Sequence, residues 1–232
     1  MPNLGAGLPA NCLLTVNPLG DSITAGAGCN PGDSTKNTGY RNPLVTLCTA
    51  AGLKVFLIGN NNSNHDASVV QVFHDGVGGN LISGIKASTV ATMPQQAPEV
   101  VLMHAGTNDI QSVIPPATIA ASLDDLILTC WNLGQRPGVN RTKLIEVAQI
   151  TDCNGRTAQV ADFNSRIPAL VAAHFAAGRN VKIVDMFSAL GPNPGTNFNG
   201  ASQPHPNEFG YQIMAQKWFG TPGSGLLCDY GR

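Results

Sequence analysis

Short apolar runs at 13–19, 54–58, 99–105, 143–150 and 180–185 punctuate this 232-residue chain, and most of them stop at Gly, Asn or Asp. Between the runs lie longer segments of helical period, at 40–52, 81–92, 116–133 and 157–178, with a last one at 207–219. The segment at 157–178 shows the spacing plainly, through Ile167, Leu170, Val171, Ala173 and Phe175. Strands that alternate with helices in this way pair in parallel, because a parallel pair needs a long crossover, and the crossover helices then cover the sheet. The pattern predicts an α/β fold, a three-layer α/β/α sandwich around a five-stranded parallel sheet. With 43% hydrophobic residues the chain can fill one large core, and a single domain over 1–232 is expected.

In open parallel sheets, ligands bind beyond the carboxyl ends of the strands, so chemistry is sought in the residues that follow each run. Leu19-Gly20-Asp21-Ser22-Ile23-Thr24 sets a serine at a strand-to-helix turn, with helix N-terminal N–H groups nearby. The plain alternative is an N-cap serine. The glycines of Gly76-Val77-Gly78-Gly79-Asn80 let a backbone N–H approach a reacting oxygen, although a flexible turn would read the same. Gly106-Thr107-Asn108-Asp109 closes the third run, where the Asn108 amide can project over the strand ends as a further donor or simply hold the turn. His205 lies on the loop after the fifth run; Pro206 keeps it extended, and Asn207 suits the N-cap of the last helix. A hydroxyl, an imidazole and donors for a developing oxyanion are the parts a serine hydrolase needs.

Other histidines carry plainer readings. His174 in a helical segment and His104 inside the third run are expected to be structural. His65 and His74 stand beside Asp66 and Asp75, but the spacing matches no zinc pattern, so neither a metal nor a cofactor is expected. A net charge of −1, 12% charged residues and no basic run leave no footprint for nucleic acid or an anionic membrane. No stretch approaches the length of a transmembrane helix. A neutral ligand fits more easily, and the Asn- and Gly-rich loops at 59–80 and 188–206 suit a sugar chain; the length of the second reads equally as a functional loop or as a variable surface excursion. Cys12, Cys29, Cys48, Cys130, Cys153 and Cys228 show no C-x-x-C spacing, so three disulfides, with fifteen possible connectivities, and a secreted setting are expected. The sequons at Asn61-Asn62-Ser63 and Asn140-Arg141-Thr142 are consistent with that route but common by chance. Met1-Pro2-Asn3-Leu4-Gly5 has neither a basic nor an apolar leader region, and a signal peptide is expected to have been removed.

In this order, the blocks resemble the SGNH hydrolase superfamily, also called GDSL esterases, over residues 13–219. The resemblance implies a flavodoxin-like sheet order, Ser22 as nucleophile and His205 as general base. It also implies an oxyanion hole from Gly79, Asn108 and the Ser22 N–H. Within the superfamily, Pro18 to Thr24, Tyr40-Arg41, His74-Asp75-Gly76, His104 to Asp109 and Val184-Asp185-Met186 look most like carbohydrate esterase family 3, which is associated with acetyl xylan esterases. One departure stands out. The family places an Asp three residues before the histidine, and this chain has Ser202 there. Such an acid fixes the imidazole tautomer, and its replacement in a serine protease costs about 10⁴-fold. A main-chain carbonyl behind His205 is the preferred substitute; Asp185 or Asp75 reaching the ring, or reduced activity, are the others.

The sequence therefore leads to the expectation of a secreted, monomeric, cofactor-free serine esterase acting on an acetylated polysaccharide or oligosaccharide. A lipase or lysophospholipase of the same superfamily, and a carbohydrate-binding protein with impaired catalysis, are the alternatives.

Overall fold

The computed structural model describes residues 13–30, 32–33, 37–62, 73–135, 142–153, 155–200 and 203–220. Its strands are β1 (Leu13–Gly20), β2 (Lys54–Leu57), β3 (Asp75–Gly76), β4 (Val100–His104), β5 (Leu144–Gln149) and β6 (Val181–Asp185). Its helices are α1 (Arg41–Ala50), α2 (Ile82–Gln96), α3 (Thr107–Gln111), α4 (Pro116–Gly134), α5 (Thr157–Ala176), α6 (Met186–Leu190) and α7 (Glu208–Phe219). Five strands pair in the order β2-β1-β4-β5-β6, every pairing parallel, and the short β3 adds to the end of β1. The predicted α/β/α sandwich and its five main strands are present; the sixth strand is two residues long and was not expected.

The strands carry apolar side chains on both faces because both faces are covered. Val100 and Leu102 of β4 pack with Tyr40 and Leu44, near the start of α1, and with Met214 and Trp218 of α7. The alternate residues Val101 and Met103 pack with Ile85 of α2, Leu123 and Leu126 of α4, and Phe163 and Ile167 of α5. Each fully buried aliphatic of this kind contributes about 1.5–3 kcal/mol, which is why the apolar runs locate the strands.

Helix α5 runs through Pro168, which has no N–H for the Asn164 carbonyl. The Gln149 side chain supplies the missing donor at 3.1 Å, while the Asn164 side chain bonds both Ile150 N and Ile150 O at 2.9 Å. The proline is thus satisfied by the end of the neighbouring strand. Helix α2 extends to Gln96, past the expected end at 92; Pro94 sits in its last turn, where one lost N–H bond is tolerated, and Ala97 (φ 47°) closes it by donating to Met93 O at 2.9 Å.

Two expectations from composition are corrected. Cys29, Cys130 and Cys153 are free buried thiols, which leaves room for at most one bridge among the six cysteines and removes the expected three-disulfide framework. Cys12 and Cys228 lie outside the described residues, as do His65, Asp66, Ser63, Asn140, Arg141 and Ser202. The described cysteines are small apolar core residues rather than a covalent scaffold. The loop expected over 188–206 begins as the end of α6 and is irregular over 191–200 and 203–206, yet it is extensively hydrogen-bonded. Asn193 Nδ2 donates to Asp152 O and Gln203 O, Asn197 Nδ2 to Leu190 O, and Asn207 Nδ2 to Thr196 O and Phe198 O. Its asparagines hold the backbone in place, and their abundance is not by itself a sign of a sugar site. No helix among the described residues is long and apolar enough to cross a membrane.

Candidate active site

The carboxyl ends of β1, β3 and β4 meet at one edge of the molecule, Leu19 and Gly20 pairing with Asp75 and Gly76 on one side and with Met103 and His104 on the other. Gly20 is required by this crowding, because a Cβ there would collide with the His104 carbonyl and the Thr24 hydroxyl. Ser22 follows directly. The helix expected behind it is instead a series of turns, in which Ala25 N donates to Asp21 O, Gly26 N to Ile23 O and Ala27 N to Ser22 O. Asp21 is fully buried, and its carboxylate accepts Ile23 N at 2.9 Å; burial pushes it up to about 6. Its role is to shape the turn.

The Ser22 Oγ lies 2.9 Å from His205 Nε2 across 183 positions of sequence. The loop carrying His205 is clamped to the nucleophile loop by Asn199, whose Nδ2 donates to Gly28 O at 2.6 Å and to Pro206 O at 2.9 Å. Asn199 N also donates to His205 O at 3.2 Å. Gly28 (φ 81°) must lack a side chain, since a Cβ would lie 2.9 Å from His205 Cβ and 2.5 Å from Asn199 Nδ2. Burial lowers His205 below the usual imidazole range. Behind the ring, the expected main-chain acceptor is missing: among the described residues neither a carbonyl nor a carboxylate bonds its other nitrogen.

Neither alternative acid reaches His205. Asp185 Oδ1 caps α6 by accepting Ser188 N at 2.8 Å. Asp75 is buried beside β1, where it accepts Asn17 Nδ2 at 2.7 Å, Asn60 N at 2.8 Å and Asn60 Nδ2 at 3.2 Å. Both carboxylates are occupied in fixing local structure.

Asn108 and Gly79 stand on adjoining loops that are tied together. Asn108 Nδ2 donates one hydrogen to Asn80 O at 2.9 Å, and the neighbouring Asp109 Oδ2 accepts Ile82 N at 3.0 Å at the head of α2. Val77 N in turn donates to Gly20 O at 3.1 Å, anchoring the Gly79 loop to the end of β1. The N–H groups of Ser22 and of exposed Gly79 (φ 77°) donate to no described residue, so they and the second Asn108 hydrogen are available to an incoming oxygen.

Residues that the sequence gave no role complete the scaffold. Arg41, fully buried, donates to Ala25 O at 3.1 Å and Asn37 O at 3.4 Å; burial lowers its guanidinium to about 10. Tyr211 OH donates to Ala27 O at 2.7 Å, and Tyr40 OH to Thr24 Oγ1 at 3.4 Å. Their signal was the Tyr40-Arg41 pair, a polar couple at the head of an apolar helix. The other described histidines are packed into the structure. His104 Nε2 accepts Thr151 N at 3.4 Å and burial lowers the ring to about 4; His74 Nδ1 accepts Gly76 N at 3.0 Å; His174 lies 3.0 Å from Asp124 Oδ1.

A hydroxyl bonded to an imidazole, with unengaged N–H groups on the same and the adjoining loop, supplies the parts that acyl transfer needs. The model of the GDSL-like lipase/acylhydrolase family matches residues 19–213, from the end of β1 into α7. The chain belongs to that family. No curated protein matches it. Among solved structures, it is similar to a family 3 carbohydrate esterase of Clostridium thermocellum, at 24% identity over 90% of this chain and 94% of that one, with a TM-score of 0.72. An acetyl esterase S10A mutant with acetate ion gives 23% identity, coverage of 88% and 93%, and a TM-score of 0.69. A carbohydrate esterase family 3 protein from Talaromyces cellulolyticus gives 23%, 87% and 92%, and 0.68. These neighbours share the fold of this GDSL-family chain.

Proposed function

We propose that this protein is a serine esterase that removes O-acetyl groups from a plant polysaccharide such as acetylated xylan. The observation that carries the reading is the 2.9 Å contact between Ser22 Oγ and His205 Nε2 beside the unengaged N–H groups of Ser22 and Gly79 and the amide of Asn108. In the first half-reaction Ser22 Oγ bonds the ester carbonyl carbon and passes its proton to His205 Nε2, while the carbonyl π electrons move to the oxygen held by the three donors. The tetrahedral species collapses to an acetyl-enzyme as His205 returns the proton to the departing sugar oxygen. Water then attacks the acetyl carbon, giving a proton to His205, and Ser22 Oγ leaves with that proton as acetate is released.

With no acid among the described residues bonded to the ring, this reading has His205 depend on the Asn199 clamp for orientation. Orientation needs no charge, whereas stabilisation of the imidazolium does, so this reading predicts a working but slower Ser/His pair. The acetyl and carbohydrate esterases among the fold neighbours support the choice of acyl group and substrate class. A polymer of this kind places the reaction outside the producing cell.

The test compares hydrolysis of 4-nitrophenyl acetate, 4-nitrophenyl palmitate and acetylated xylan by wild type and Ser22→Ala. Ser22-dependent acetate release from both acetyl substrates is expected. Absence of Ser22-dependent turnover removes the esterase reading and favours a carbohydrate-binding protein, and preference for long acyl chains favours a lipase.

A further inference from the structure

A groove of about 530 Å³ opens beside the catalytic base. One side is made by Asn199 and Asn207, which flank His205, and another by Asn30, on the turn that follows Gly28. Glu208, Phe209 and Gln212 of α7 complete it. Past Glu208 and Gln212 it continues into a recess of about 190 Å³ against Thr38, Asn42 and Pro43 at the head of α1.

We propose that this groove is the leaving-group subsite of the esterase, binding the neutral sugar chain that carries the acetyl group. The proposal rests on the esterase reading and deepens it. Its side of the site follows from the chemistry: the oxyanion faces Gly79 and Asn108, whereas the departing sugar oxygen receives its proton from His205, so the leaving group must extend on the histidine side. The groove begins there, since Asn199 donates to both Pro206 O and Gly28 O and thereby sits on the two loops that meet at His205.

The lining suits a polyol. Asn30, Glu208 and Gln212 make no side-chain hydrogen bond to any described residue, so an amide, a carboxylate and a second amide are free to take sugar hydroxyls as both donors and acceptors. Glu208 and Gln212 lie one helical turn apart and face the same way. Phe209 is 60% exposed at the rim, a ring face against which the flat C–H side of a pyranose can lie. Exposing a phenylalanine beside a polar groove has a cost in water that a stacked ligand removes. Among the described residues no lysine or arginine lines either recess, and Glu208 would repel a phosphate, which argues against a phospholipid headgroup here.

The experiment measures kcat/KM for acetylated xylo-oligosaccharides and for 4-nitrophenyl acetate with wild type, Phe209→Ala, Gln212→Ala and Phe209→Trp. For Phe209→Ala the ratio of the two values should fall about 3- to 10-fold, the loss appearing in KM and not in kcat. Phe209→Trp should restore it. The positions are exposed, so equal melting temperatures will separate a binding loss from a folding one. If wild type deacetylates the oligosaccharides and the ratio is unmoved in both alanine variants, the subsite is wrong and the esterase reading stands. If wild type cleaves 4-nitrophenyl acetate but not the oligosaccharides, the polysaccharide reading falls and the subsite with it.

Discussion

Asn199 spans the two loops that carry the candidate nucleophile and base, donating to Gly28 O at 2.6 Å and to Pro206 O at 2.9 Å. No described acid bonds the imidazole, and among the described residues this amide ties the His205 loop to the nucleophile loop. Asn199→Ala should lower kcat on 4-nitrophenyl acetate by about 10- to 100-fold, since a base displaced by a fraction of an ångström loses alignment. Stability should fall by about 1–3 kcal/mol for the unpaired carbonyls. Kinetics and urea unfolding of the same variant measure both.

Asp75 and Asp185 give a sharper contrast. Asp185→Ala removes the cap of α6, so about 1 kcal/mol of stability should go while activity stays within about twofold. Asp75→Ala unties Asn17 and Asn60 near the Gly79 loop and should cost both stability and rate. A loss near 10⁴-fold from Asp185→Ala would instead make it the orienting acid.

The pH dependence of kcat/KM follows from the environment of His205. Burial lowers its pKa from the ordinary 6.5, and the neutral ring is the active base, so the acid limb should lie below 6.5 and activity should persist into mildly acidic solution. Ser202→Asp introduces a carboxylate at the position where the family carries its acid. That variant should raise kcat and move the acid limb upward, as a pH–rate profile will show.

Asn108→Ala should reduce kcat by about 10²- to 10³-fold with little change in KM, the signature of a donor engaged in the transition state. Steady-state kinetics with the acetyl ester decide it. Unchanged kcat and KM with a lowered melting temperature would make Asn108 a turn residue only.

Stability against pH should show two opposed contributions from the core. His104, lowered from 6.5 to about 4, binds a proton in the unfolded chain first, so stability falls by about 3 kcal/mol as pH drops from 6.5 to 4. Asp21, raised from 3.8 to about 6, binds its proton in the folded chain first, so its cost is relieved by about 3 kcal/mol over pH 6 to 3.8. The two oppose each other in wild type. Asp21→Asn should therefore expose the His104 fall, visible as a melting temperature that declines steeply below pH 6.

Much of this architecture was legible because the parallel strands are buried on both faces and read as unbroken apolar runs such as Val100-Val101-Leu102-Met103. The two residues of β3 and the five each of α3 and α6 are too short to carry a period. In the candidate site, Ser22, Asn108 and His205 stood out by their places after strand ends and Gly79 by its glycine-rich turn, and the structure brings Ser22 to His205 and ties the Gly79 and Asn108 loops together. The scaffolding amides were not. Asn199, Asn193 and Asn197 sit in a segment whose composition reads as generic loop, and their function depends on partners up to 171 positions away. Cysteine parity misled for a related reason, since a count says nothing about which thiols face one another.

Burial pushes the thiols of Cys130 and Cys153 up to about 12, which leaves almost no thiolate at neutral pH and no route for a reagent while the chain is folded. The two lie in the same apolar layer, one on α4 and one just past β5. Their alkylation can therefore proceed only through openings that separate that layer, and its rate in a thiol-trapping assay becomes a clock for how often the core breathes.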